Sequence, residues 1–193
     1  NNFNFSTDLT YQHFLKGQQF EYISADQIDK INFNNEIDWQ ANGHDFRIAH
    51  QKYNQVDEGA TRLSSGLILY TNETNIDRNQ VTVNHRWTIK NDFSIEQTIR
   101  NANYVRNYKV NNNDGSISTE DATEEKNTEY ELLFNRAYKN LIYNGGFEFS
   151  KPEYKSDRIA GGVQKKDIVG IFNQVAWNIS SDINLVSGLR FDT

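Results

Sequence analysis

Val81-Thr82-Val83-Asn84-His85-Arg86-Trp87-Thr88-Ile89, then Lys90-Asn91-Asp92, then Phe93-Ser94-Ile95-Glu96-Gln97-Thr98-Ile99-Arg100 is the stretch that decides the fold. On both sides of the short connection the odd positions are mostly apolar and the even ones mostly polar. Side chains of a strand alternate between faces, so each arm reads as a strand with one apolar and one wet face. Turn length then fixes the register. Folding about Lys90–Asp92 sets Trp87 opposite Ile95 and Val83 opposite Ile99, while Arg86 meets Glu96 on the wet face. Cross-strand pairs of these kinds contribute about 0.2–1 kcal/mol each.

The same pattern repeats on either side. Asn42-Gly43 is a strong hairpin signal because both residues tolerate positive φ. It sets Trp39 opposite Phe46, Ile37 opposite Ile48 and Asp38 opposite Arg47. Tyr138-Lys139 closes a third hairpin and Ser180-Ser181-Asp182 a fourth, the last pairing Ile179 with Ile183, Trp177 with Leu185 and Ile171 with Phe191. Long polar connections are expected between the short turns, near 16–29, 58–78, 107–125 and 152–166. About nine strands follow, near 3–15, 30–41, 44–57, 79–90, 92–108, 126–137, 140–151, 167–179 and 182–192. No window has helical spacing, and the single Pro, Pro152, stands just past an apolar run.

Composition narrows the class. The 193 residues carry 20 basic and 26 acidic side chains, a net charge of −6, with no basic run, so a nucleic-acid partner is not expected. With no Cys, disulfide scaffolds and thiolate chemistry are excluded. Mean hydropathy is −0.80, and no apolar run approaches the ~20 residues of a spanning helix. Yet 13% of residues are aromatic, which disordered chains are not. There is no Met and no signal-peptide pattern, and both ends read as strand, so a segment of a longer protein is expected.

Trp39, Trp87 and Trp177 each stand three residues before a short turn, on the apolar face, with Phe134 and Tyr138 in the corresponding place of the remaining hairpin. Amphipathic rings at one height suit a membrane–water interface. The expected strands, about 11–16 residues, exceed the roughly 9–11 that a spanning β-strand needs. Short turns on one side, long connections on the other and alternating strands match a transmembrane barrel. Asn35, His50, His85, Gln97 and Asn173 fall on the apolar face and speak for a soluble alternative. The fold class expected is all-β: part of an antiparallel up-and-down transmembrane barrel, with residues 1–193 in one domain. The alternatives are a soluble all-β ligand- or glycan-binding module and a complete small outer-membrane barrel.

Val169-Gly170-Ile171-Phe172-Asn173-Gln174-Val175-Ala176-Trp177-Asn178-Ile179, a short turn, then Leu185-Val186-Ser187-Gly188-Leu189-Arg190-Phe191-Asp192 resembles the mid-barrel hairpin of TonB-dependent outer-membrane receptors. In that family a Phe-x-Gln-x-x-Trp strand commonly precedes Gly-Leu-Arg-Tyr-Asp; here Phe191 replaces the Tyr. The wording of the match covers only the last twenty-five or so residues; the rest shares the style. The resemblance implies a 22-stranded barrel with an N-terminal plug, in the outer membrane of a Gram-negative bacterium, importing a ferric siderophore or similar scarce nutrient. It implies as partners outer-membrane lipid, the protein's own plug and remaining barrel strands, the inner-membrane TonB complex through that plug, and an iron chelate or other small nutrient. Plug and closing strand have no counterpart in these residues.

No catalytic residue, metal site or cofactor is expected. His13, His44, His50 and His85 lack metal-ligand spacing, and no nucleophile elbow or P-loop occurs. Asn111-Asn112-Asn113-Asp114-Gly115 lacks the spaced acids of a calcium loop and reads as a turn. The ligand-binding candidates are Arg100, Tyr104, Arg106 and Tyr108 on the wet face of one strand, and Tyr53 on another. Arg pairs with anionic oxygens and Tyr stacks, which suits an anionic chelate. Asp38, Arg47, Arg86 and Glu96 lie low, near the short turns, as structural or plug-facing pairs; Arg190 and Asp192 read as wall residues.

Overall fold

The computed structural model describes residues 2–15, 27–63 and 65–193, so most of the connection expected over 16–29 lies outside the described residues. The described strands are β1 Asn2–Leu15, β2 Gln27–Ala41, β3 His44–Arg62, β4 Ile68–Lys90, β5 Phe93–Asn112, β6 Ile117–Tyr138, β7 Leu141–Ser156, β8 Val163–Lys165, β9 Ile168–Asn178 and β10 Asn184–Asp192. They form one antiparallel sheet in chain order, except that the three-residue β8 pairs with β7 beside the main path.

Every quoted register recurs. Trp39 lies opposite Phe46, Asp38 opposite Arg47, Trp87 opposite Ile95, Arg86 opposite Glu96, and Trp177 opposite Leu185. Asn42 (φ 51°) and Gly43 (φ 80°) occupy the left-handed region that a two-residue hairpin turn demands. The third turn is displaced by one residue. Tyr138 is still paired with Leu141, and Lys139 (φ 49°) with Asn140 makes the bend.

Two of the long connections are corrected. Residues 58–78 and 107–125 are mostly strand. β3 and β4 continue to a tight turn between Arg62 and Ile68, and β5 and β6 to another between Asn112 and Ile117. β4 therefore runs 23 residues, against the 11–16 expected. The fourth connection shortens as well, since β7 continues through Pro152 to Ser156. Pro152 ends no strand here. These extensions are polar on both faces, so they show no alternation; their backbone ladders hold them.

The short turns form a descending series. Ala41 and His44, the last pair of their hairpin, share a ladder row with Trp87, Ile95, Phe134, Gly145 and Asn173. Beyond that row β5 runs two more residues to Phe93, β6 four more to Tyr138, and β9 five more to Asn178, after which the N–H of Ile179, six residues past the row, reaches Ile183 O at 2.9 Å. The step is one residue per strand. With ~3.3 Å per residue and ~4.8 Å between strands, the line of turns lies roughly 35° off the perpendicular to the strands. A backbone bond fixes each step: Thr88 N–H donates to Gly43 O at 2.7 Å, Ala137 N–H to Asp92 O at 2.8 Å and Asn178 N–H to Asn140 O at 2.8 Å.

One face carries Phe3, Ile37, Trp39, Phe46, Val83, Trp87, Phe134, Ile171, Trp177 and Phe191. The lower edge of this apolar band keeps the same step, from Trp39 through Trp87 and Phe93 to Tyr138 and Trp177. On β2 it runs from Trp39 to Ile31 and on β9 from Trp177 to Val169; Trp39 is level with Ile171, six residues above Trp177. Eight residues along a strand tilted by ~35° give a band about 22 Å tall. Among the described residues no second layer covers it. The three Trp are 40–42% exposed, Ala41 is the one buried apolar residue among those described, and the accessible surface is 13488 Å². A compact chain of 22.4 kDa exposes about 9,400 Å².

Some polar groups on this face are satisfied across strands. His44 Nδ1 and His85 Nε2 are 3.1 Å apart, and His85 stacks on Phe46 at 4.0 Å while His44 stacks on Trp87 at 5.3 Å. His50 bonds Asn79 at 2.7 Å. On the polar face, Gly170 leaves room for Asp192, whose Oδ1 lies 2.8 Å from where a Cβ would stand, and Arg190 bridges Asp192 and Glu148 at 2.9 Å each.

Candidate ligand-binding face

The polar face carries two concavities. The upper one, about 670 Å³, lies across β2–β6 and within the ~300–1,000 Å³ range of small-molecule sites. Its centre is one ladder row: Asn32, Tyr53, Arg78, Tyr104 and Glu125, contributed in order by five adjacent strands. Antiparallel pairing puts directly opposed side chains on the same face, so Arg78 stands between the two tyrosines.

Relays along each strand orient the lining. Tyr53 donates its hydroxyl hydrogen to Gln55, and Gln55 Nε2 donates to both Asp57 oxygens at 2.8 Å. Arg78 Nη2 donates to Gln80 Oε1 at 3.2 Å, and Gln80 Nε2 to Thr82 Oγ1 at 3.4 Å. Asn127 Nδ2 donates to Glu129 at 2.7 Å while its Oδ1 accepts from Ser150 Oγ at 3.0 Å. Alternate residues of a strand share a face, and these i, i+2 bonds hold the amides in fixed orientations.

Of the five candidates, the structure brings Tyr53 and Tyr104 together at this cavity. Arg100 is placed elsewhere: it donates to Glu129 at 2.7 Å and borders the lower concavity. Arg106 lies over the Tyr108 ring at 5.7 Å, in the rows above. Arg78 was missed by sequence reasoning because it fell in a span read as loop. The signal for it was present: continuing the alternation of Val81 and Val83 back along β4 puts Arg78 on the wet face with Gln80 and Thr82.

The lower concavity, about 660 Å³, is crowded with compensating charge. Arg47 Nε donates to Asp38 at 2.8 Å and lies 3.6 Å from Glu36. Asn84 Nδ2 donates to Glu96 and Thr98 at 2.9 Å each. Beside the upper cavity Lys126 donates to Glu124 at 2.7 Å, which holds that carboxyl below its ordinary range.

The aromatics expected at an interface lie on the opposite face. Trp87 and Phe134 share a row, two residues from that of Trp39, and Tyr138 shares a row with Leu141 and Trp177. Their ladder heights differ by up to six residues, the same offset as the turns. Among the described residues no group of three or more His, Asp or Glu could hold a metal ion, and no helix is long and apolar enough to cross a membrane. The chain matches no protein-family model, and no curated protein matches it.

Proposed function

We propose that this chain is wall and extracellular hairpin of an outer-membrane β-barrel of the TonB-dependent receptor kind, which takes up a scarce nutrient past its polar face. The observation that carries the reading is the apolar band whose aromatic lower edge steps down in parallel with the turns. A flat lipid layer demands a band level with the membrane, not with the hydrogen-bond ladder. In barrels strands tilt by ~35–45° and the outward apolar band is ~25 Å tall; the offset of one residue per strand and the ~22 Å height fit both. A step of one residue per strand is also the ratio of shear to strand number in an eight-stranded barrel tilted at ~36°. A soluble sheet would need a second layer over Trp39, Trp87 and Trp177. In the full receptor the remaining strands continue the wall, a plug fills the lumen, and the inner-membrane TonB complex supplies the energy.

Cysteine scanning tests this directly, because the chain has no Cys of its own. Nitroxide labels at Ile37, Ile95 and Ile171 in the membrane-embedded protein are expected to be accessible to oxygen and shielded from a polar nickel chelate. Labels at Thr98 and Tyr104 are expected to show the reverse. Nickel access on both faces of β5 below Ile99 would refute a lipid-facing band.

A further inference from the structure

We propose that the upper cavity takes a neutral, hydroxyl-rich ligand, an oligosaccharide, in place of an anionic iron chelate. The inference rests on the reading of the polar face as the lining of an uptake barrel and names what that lining accepts. An anionic chelate requires convergent, uncommitted cations. Here the cavity-facing lining has one cation, Arg78, and one acid, Glu125, in the same row. Arg78 already donates to Gln80, Arg100 is bonded to Glu129 away from the cavity, and Lys126 is bonded to Glu124 on the other face. What remains is amide. Asn32, Gln51, Gln55, Gln80 and Asn127 line the cavity, each with both donor and acceptor atoms. Hydroxyl groups also donate and accept, so such a lining satisfies them without net charge.

The tyrosines supply the second half of recognition. Tyr53 and Tyr104 are two ladder steps apart, about 10 Å between backbones. The negative face of a ring attracts the C–H edges of a sugar, as it does the positive edge of another ring. A linear saccharide laid across β3, β4 and β5 touches both tyrosines and passes over Arg78, whose guanidinium donates to its hydroxyls. Ile76 and Ala102 give the floor an apolar share.

The test uses the full natural protein, extracted from its membrane in detergent, and calorimetric titration with maltohexaose, cellohexaose and xylohexaose, and separately with ferric citrate and a ferric tris-catecholate. Binding of at least one hexasaccharide is expected. Tyr104→Ala and Tyr53→Ala should each weaken it by about tenfold or more, as for loss of one stacking ring, and Tyr104→Phe should retain it. Tyr104→Phe also serves as the control if an alanine variant fails to fold. Binding of an iron chelate that Arg78→Gln abolishes, with no saccharide bound, overturns the proposal, as does failure of the folded protein to bind any of the three saccharides. The two readings fail separately. A soluble protein that binds a hexasaccharide through both tyrosines refutes the barrel and keeps the ligand class. A membrane-embedded protein that binds only the chelates does the opposite.

Discussion

On β5, Ile95 and Val105 share a face ten residues apart. Ile95 lies in a row with Trp87 and Phe134, and the apolar face around it is open. Val105 lies between Asp77 and Glu124. The same strand thus passes from a zone with two unlike faces into one where both are polar. Alternation is imposed by unlike surroundings, whereas strand structure is imposed by the backbone ladder. The first ends near Ile99 and the second continues to Asn112.

Substitutions can break or sharpen this contrast. The largest effect is expected from Ile99→Arg, on the face of Ile95 and four residues further from the aromatic row. On the proposed lipid face a cation well inside the band costs about 2–4 kcal/mol, while Val105→Arg, placed between two acids, should change stability by less than about 0.5 kcal/mol. Denaturant unfolding of the two variants in lipid vesicles measures the difference; equal costs would abolish the distinction between the zones.

The turns at the two ends should differ less. Gly43 has φ +80°, and an added Cβ would stand 2.7 Å from Thr88 O; Gly115 has φ +83° with nothing within 4 Å. Left-handed strain costs about 1–2 kcal/mol in each alanine variant. Gly43→Ala must in addition displace the backbone bond to Thr88, so its unfolding midpoint should fall further than that of Gly115→Ala. Trp87→Ala removes the stack on His44 and should cost about 1 kcal/mol. Tyr70→Ala, near the far tip, should cost less in the same assay.

The smallest effect is a pH dependence at the upper tip. Asp114 accepts bonds from Ser116 Oγ at 2.6 Å and Ser116 N at 2.9 Å, which hold its carboxyl below the ordinary 3.8. A lowered folded value means the contribution is complete above the unfolded value and is lost as pH falls through the folded one. Amide exchange at Ser116, referenced to a lower-turn amide such as Thr88, should therefore accelerate only below about pH 4. Acceleration already at neutral pH would contradict the bonding.

The lower zone was legible because turn length converts directly into register: Asn42-Gly43 alone places Trp39 against Phe46 and Asp38 against Arg47. The upper zone was not. Asn111 to Glu125 carries no alternation, since neither face is apolar, and polar text without a period reads as loop. The same misreading over 58–78 hid Arg78, although Tyr53 and Tyr104 on either side of it were recovered from the alternation of their strands. Arg100 was assigned to the right face, but its commitment to Glu129 depends on the β5–β6 register, which is set by the turn between Asn112 and Ile117, inside a span read as loop.

The bonds from Thr88 to Gly43, Ala137 to Asp92 and Asn178 to Asn140 make each hairpin the gauge for the next. Levels in this sheet are copied forward, as courses are in brickwork. Two residues inserted beside one tip would leave every side chain on its proper face, yet lift or sink all later hairpins together by roughly 5 Å. Evolution of the sheet by tip insertion is therefore constrained at the gauge-bearing end, while the opposite tips can lengthen one by one without moving their neighbours.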